Sequence, residues 1–227
     1  MNIIFEDDYI LAVYKPSGLA TQTSKIGEKD LFSEAKNHVN GNYIGIINRL
    51  DQPVSGIVLL AKSSETASAL EKELQSHNMA KYYRAEVYID RIEKREKLSV
   101  DITSDLSLFP NVLADYMCRD ANNTSRICAS DEANAKEARL EYAVRSIGEQ
   151  TANLDIHLLT GRHHQIRVQL ANAGMPILGD KKYGTDSSVK YSMLKRIRNV
   201  SLCAYRLIFT HPVTKQRIDL KADAWFT

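Results

Sequence analysis

Asn48-Arg49-Leu50-Asp51-Gln52-Pro53-Val54-Ser55-Gly56-Ile57-Val58-Leu59-Leu60-Ala61 passes from a polar loop straight into an unbroken apolar run. The run is short and rich in branched residues, which reads as a strand buried on both faces. The loop before it holds an arginine and an aspartate two residues apart, then Pro and Gly. Loops held by rigid strands are where site residues concentrate, yet Asp51 by itself also fits a turn or capping aspartate. Downstream, Ser63 or Ser64 can cap a helix with Glu65 in its first turn and Ala67, Leu70 and Leu74 on one face. Upstream, 10–14 reads as another buried strand, ended by Lys15-Pro16-Ser17-Gly18, and a short strand fits 44–47.

Farther out, 82–89 alternates: Tyr83, Ala85, Val87 and Ile89 point one way, and Tyr82, Arg84, Glu86 and Tyr88 the other. Alternation returns at 140–144 and 154–158, and strands over 207–210 and 217–221 flank a His211-Pro212-Val213-Thr214 turn. A helix is predicted over 163–173, stopped by Gly174 and Pro176. Peripheral strands and loops are expected in the polar stretch 90–136. Many strands with a few helices predict an α+β fold on a large, mainly antiparallel mixed sheet flanked by helices and loops. Composition marks no internal boundary, repeat or linker, so 1–227 reads as a single domain.

At 227 residues, 44% hydrophobic and 26% charged, the chain can bury a full core. No apolar run approaches the roughly 20 residues needed to span a bilayer, and the acidic opening Glu6-Asp7-Asp8 argues against a targeting peptide. The three cysteines (Cys118, Cys128, Cys203) are odd in number and lack Cys-x-x-Cys spacing, so neither a disulfide framework nor a zinc site is expected, and the cytoplasm fits best. Net charge is only +2, but 160–206 holds nine Lys/Arg against two acids. Such a block fits either a solvated basic face or an anionic partner such as an RNA backbone. Phosphate-cradling glycine loops and the Gly-x-Ser-x-Gly elbow are absent, leaving nucleotide cofactors and serine hydrolysis without support.

A second candidate cluster is Thr160-Gly161-Arg162-His163-His164-Gln165-Ile166-Arg167. Helical spacing would place His163, His164 and Arg167 on one face near a helix N-terminus, a setting that favours anions; an ordinary exposed basic helix end fits the same residues. A metal held by His157, His163 and His164 is disfavoured, since adjacent histidines diverge on a helix and no His-x-x-x-His pair or carboxylate cluster accompanies them. Tyr83, on the apolar face of its strand, reads as core.

Taken together and in order, these stretches resemble the RluA family of pseudouridine synthases. The resemblance rests on residues 6–19 with Lys15-Pro16-Ser17-Gly18; on Arg49-Leu50-Asp51 with Ser55-Gly56 and Leu60-Ala61-Lys62; and on Lys81-Tyr82-Tyr83-Arg84-Ala85. It continues through Thr160-Gly161-Arg162, His164-Gln165-Ile166-Arg167-Val168, Gly179-Asp180 with Tyr183-Gly184, and His211-Pro212-Val213-Thr214. Only about 91–135, read as a variable peripheral segment, lacks a motif. Asn48 stands where the family most often has His, Val54 and His163 where it has Thr, and Gln169 where it has His. The S4-like N-terminal domain of many relatives has no counterpart, so RNA affinity is expected from the catalytic domain itself.

The resemblance implies a cofactor-independent, metal-free isomerase that converts uridines in ribosomal or transfer RNA to pseudouridine after flipping them from the stack. It implies Asp51 as the catalytic carboxylate, attacking C1′ or removing a C2′ proton, with Arg167 keeping it ionised and Tyr83 stacking on the uracil. Arg49 would fill the vacated space. Lys15, Lys62, Arg162, His163, His164, Lys181 and Lys182 are candidate RNA contacts, and a monomer is expected. The rival readings are a non-catalytic RNA-binding protein on the same fold and a metal-dependent nuclease.

Overall fold

The computed structural model describes residues 1–23, 25, 27–90, 98, 103, 105 and 107–222. These group into two compact units, Met1–Lys81 with Cys203–Thr227, and Tyr82–Leu202. Much of the predicted variable segment (91–97, 99–102, 104 and 106) lies outside the described residues.

Unit 1 is built around β4 (Ser55–Ala61), in which every residue is buried. Antiparallel β2 (Ile10–Lys15) lies on one side and carries β1 (Asn2–Glu6) on its outer edge. On the other side β10 (Leu202–Thr210) runs parallel to β4 and antiparallel to β11 (Arg217–Lys221), while β3 (Gly45–Ile46) pairs with the end of β4. A strand with neighbours on both sides and core on both faces needs apolar residues throughout, which is why 56–61 does not alternate. Ile10, Ile57, Leu59, Leu207 and Phe209 pack there against Leu70 of α2 (Ser64–Gln75). Ser63 caps α2 by accepting from Thr66 N–H, as its sequence predicts. The sequence pattern did not reveal α1 (Leu31–His38), which buries only Leu31 and Ala35, or half-exposed β1.

Gly56 makes the parallel β4–β10 pairing possible. Its φ is +126°, and a Cβ there would drive into the backbone of Ala204, its register partner. Only glycine tolerates both conditions.

Unit 2 orders its strands β5 (Ala80–Tyr88), β9 (Thr151–Leu158), β8 (Lys136–Ile147), β6 (Asn111–Arg119) and β7 (Ser125–Cys128). The alternation predicted for β5 holds through Val87, with Tyr83, Ala85 and Val87 buried and Tyr82, Arg84 and Glu86 half-buried, but breaks at Tyr88, which is buried as well. Two helices follow, α3 (Gln165–Asn172) and α4 (Asp186–Leu194).

Two expectations need correction. Cys118 and Cys128 form a disulfide. They are separated by ten residues in sequence, but the β6–β7 register sets Cys118 opposite Arg126 and Cys128 opposite Tyr116, so the cysteines sit diagonally on one face. Cys203 is a buried thiol outside this disulfide. The predicted helix over 163–173 begins later, at Gln165, because His164 takes a left-handed conformation (φ 56°). The histidines therefore precede the helix rather than share a face with Arg167. Among the described residues no helix is long and apolar enough to cross a membrane.

Candidate active site

In unit 1 the loop from Asn48 to Ser55 is pinned at nearly every peptide. The Asn48 side chain donates to Ile57 O at 3.0 Å and accepts from Leu59 N at 2.7 Å, extending the sheet with an amide in place of backbone. Buried Thr21 grips Leu50 at both ends: its hydroxyl donates to Leu50 O at 2.8 Å and accepts from Leu50 N at 3.2 Å. Val54 N–H closes a turn onto Asp51 O at 3.0 Å. Gly18 N–H and Ser17 Oγ donate to Gln52 O and Pro53 O at 2.9 and 2.6 Å. Backbone held this way presents Asp51, half-buried, with little freedom. Arg49, on the same loop, is exposed.

Lys15 does not stand where a phosphate could reach it. It is completely buried and donates to Leu19 O (2.6 Å), Pro16 O (3.1 Å) and Gln52 O (3.2 Å). It thus ties the 15–19 turn to the residue after Asp51. Burial pulls its pKa from 10.5 down to about 8, and the charge of Asp51 opposes that fall. Replacing Asp51 by Asn is expected to lower the Lys15 value below about 8, measurable by NMR titration of its side chain; an unmoved value would mean the two charges do not feel one another. Between about pH 8 and 10.5 the unfolded chain binds more protons at this residue than the folded one, so its contribution to stability rises with pH across that window.

Lys62 also has partners, donating to Glu6 Oε1 and Asp7 O, both at 2.6 Å. Lys62 and His38 together hold the Glu6 carboxyl below the usual range despite the opposing effect of its burial.

In unit 2 the centre is Arg167, only 5% exposed, which contradicts an exposed basic helix end. Its Nε and Nη2 donate to the two oxygens of Asp180 at 2.7 and 2.9 Å. Burial alone would raise the Asp180 pKa; the Arg167 hydrogen bonds and charge, with N–H groups from Lys182 and Tyr183, outweigh it and hold the carboxyl low. The Arg167 guanidinium also lies 5.1 Å from the Tyr183 ring centroid.

Tyr183 OH accepts from Ser125 N–H at 3.0 Å and meets His164 Nδ1 at 2.7 Å. His163 Nδ1 contacts Ser125 Oγ at 2.9 Å, and the two imidazoles stack at 3.7 Å. His157 is engaged elsewhere, with Glu141 and stacked on Tyr82. Among the described residues no group of three or more His, Cys, Asp or Glu is arranged to hold a metal.

Beneath this cluster, Gln165 accepts from Thr160 Oγ1 and Arg162 N–H and donates to Arg139 O and Gln169 Oε1. Gln169 then donates to Asp115 and to Ala138 O. Arg162 donates to Glu137 O at 2.7 Å and Lys182 to Asn123 O at 2.7 Å, while Lys181 is exposed. Tyr83 is buried on β5, at 7% exposure.

Within unit 1 Arg49 and Asp51 thus share one loop, and Lys15, at the end of β2, is tied to it through Gln52 O, with Lys62 engaged separately. Within unit 2 it gathers Arg162, His163, His164, Arg167 and Lys182. Sequence reading assigned no role to Asp180, Tyr183, Ser125, Gln165 or Thr21. The Gly179-Asp180 and Tyr183-Gly184 pairs were visible as a motif, but nothing linear ties them to Arg167.

The family model described as RNA pseudouridylate synthase matches residues 9–172. An uncharacterized RNA pseudouridine synthase of Mycoplasma genitalium, MG209, is 30% identical over 98% of this chain and 66% of its own length, so the chain spans just under two thirds of that relative. The dual-specificity RNA pseudouridine synthase RluA of Vibrio parahaemolyticus is 30% identical over 93% of this chain and 78% of its own, and tRNA pseudouridine synthase C of Pasteurella multocida is 29% identical over 98% and 90%. Among solved structures, human RNA pseudouridylate synthase domain containing 1 superposes with a TM-score of 0.75 over 98% of this chain and 83% of its own at 18% identity, a likeness of fold. With the family model matching well over half of its residues, the chain belongs to the RNA pseudouridylate synthase family.

Proposed function

We propose that this protein isomerises uridine to pseudouridine in structured ribosomal or transfer RNA, as a monomer, with Asp51 as its catalytic carboxylate. The observation that carries the reading is Asp51 on a loop whose neighbouring peptides are fixed from several directions, inside the span that the family model matches. The chemistry is redox-neutral and consumes no water. The N1–C1′ bond breaks with its electron pair leaving on uracil, the base turns, and C5 forms the new bond to C1′. The proton lost from C5 is balanced by one gained at N1. Hydrolysis of a glycoside commonly takes two carboxylates; here the detached base is itself the next nucleophile, so one suffices.

In this reading Asp51 either bonds C1′ transiently or takes a C2′ proton, and both routes need it ionised. Arg167 favours the ionised form, Tyr83 stacks on the uracil and serves the C5 proton, and Arg49 occupies the space a flipped uridine leaves. Extrusion costs a few kcal/mol, least in loops already unpaired. Lys15 and Asn48 hold the loop rather than the RNA. Arg162, His163, His164, Lys181 and Lys182 contribute to RNA binding, with the stacked imidazoles shaping which loop is accepted.

The test maps pseudouridines in ribosomal and transfer RNA from cells with and without the protein. The expected result is loss of one or a few sites, restored by the wild-type gene and not by the Asp51→Asn form. An unchanged map, or restoration by the Asn form, would overturn the assignment, the latter in favour of a non-catalytic RNA-binding role.

A further inference from the structure

The helix α4 faces the wrong way for an ordinary amphipathic segment. Its buried positions are Ser188 and Ser192, one turn apart. Ser192 Oγ accepts from Gly179 N–H at 3.0 Å and donates to Ser188 O at 2.7 Å. Tyr191 packs on Tyr88 with centroids 5.3 Å apart. The helix is therefore docked through polar and aromatic contacts, while its two large aliphatic side chains, Met193 and Leu194, stand 68% and 73% exposed at its end. They are the two most exposed large hydrophobic side chains among the described residues.

Around them lie Lys190, Lys195, Arg196 and Arg198, all exposed, with Asp186 a full helix length away as the only acid in this segment. The turn that follows adds a second signal. Ile197 N–H bonds Ser192 O at 2.8 Å and Arg196 N–H bonds Met193 O at 3.0 Å, the paired pattern of a Schellman stop. The left-handed residue of that motif is Arg196, at φ 58°. Glycine is the cheap occupant there, and a side chain is strained. The motif fixes the Arg196 side chain beside Lys195 and Arg198 at the exposed end of the helix.

We infer that Met193, Leu194, Lys195, Arg196 and Arg198 form a docking tip for an unpaired RNA segment. The inference rests on the RNA-directed reading above and adds a contact separate from the Asp51 loop. The cations take the phosphates, and the two aliphatic side chains press against base faces that a duplex would hide in its stack. Charge complementarity selects an anionic partner, and the compactness of the apolar pair suits one or two splayed bases.

The test uses the full chain and a labelled RNA hairpin with an unpaired loop, beside the same strand paired to its complement. Met193→Ser with Leu194→Ser is expected to weaken hairpin binding roughly tenfold, the scale set by about 55 Å² of apolar surface. That double variant should leave duplex binding and the salt slope unchanged. Lys195→Ala, Arg196→Gly and Arg198→Ala together are expected to reduce the slope of log K against log salt by about 2, as three lost single-strand phosphate contacts would. Arg196→Gly alone should raise Tm while lowering hairpin affinity. Unchanged affinity and slope in both combined variants would overturn the inference. So would equal weakening on hairpin and duplex, or binding to anionic phospholipid vesicles that the double serine variant abolishes. Wild-type turnover separates the two levels: pseudouridine formation with indifferent tip variants sinks this inference alone. Weakened hairpin binding by the tip variants, in a protein that forms no pseudouridine, sinks the catalytic reading and leaves the tip standing.

Discussion

Replacing Asp51 by Asn is expected to reduce pseudouridine formation by at least about 10²–10⁴-fold, the range lost with a positioned acid–base group, while leaving RNA affinity and fold essentially intact. The expectation of an intact fold follows from how the loop is held. Thr21 bonds both ends of Leu50, Lys15 and Gly18 bond Gln52 O, and Asn48 bonds β4. These contacts hold the loop through backbone and neighbouring side chains, while the Asp51 charge also favours the protonated form of Lys15. Asn keeps the shape and removes the charge, so it can neither attack C1′ nor take a proton. Release of tritium from RNA labelled at uridine C5, measured in a single turnover, reports the step directly. Substantial release by the variant would remove Asp51 from the chemistry.

Asp180→Asn should cost about 3 kcal/mol of stability, the low end for breaking a buried ion pair. At roughly 2–4 °C per kcal/mol for a chain of this size, Tm should fall on the order of 10 °C. The substitution takes from Arg167 two charge-assisted hydrogen bonds inside the unit, and weakens the caps that Asp180 provides to Lys182 and Tyr183. A pH series checks the electrostatic part. The folded Asp180 carboxyl titrates below its ordinary value of 3.8. Its stabilisation is therefore fully present above that value and lost as pH falls through the folded one. The gap in Tm between wild type and variant should be constant near neutrality and shrink in acid below about 3.8. A gap that persisted there would mean the loss came from packing rather than charge. Because Arg167 is oriented by Asp180, the variant should also lose turnover at temperatures where it stays folded.

Much of the fold was legible from one dimension because it is written in hydrophobic period. The unbroken apolar runs at 10–14 and 56–61 and the alternation at 82–89 correspond to β2, β4 and β5 within a residue or two. Where the period carries no signal, reading failed for identifiable reasons. Helix α4 buries serines and exposes Met193 and Leu194, the reverse of the pattern that marks a helix. Helix α1 buries only two positions. The start of α3 was misplaced because a left-handed His164 leaves no trace in side-chain polarity.

The sequence by itself determined the family, the catalytic candidate on its loop, and the strands that carry that loop, since motifs and hydrophobic period are local properties of a chain. The tertiary structure decided which charges are paid for by partners. Lys15 reads as a surface cation and is a buried clamp on three carbonyls, and Arg167 reads as a helix-end cation and is sealed against Asp180. It also decided that Cys118 and Cys128 meet, through the register of one hairpin. Solvation and partnership depend on residues distant in sequence arriving at the same few ångströms, and no local pattern encodes that arrival.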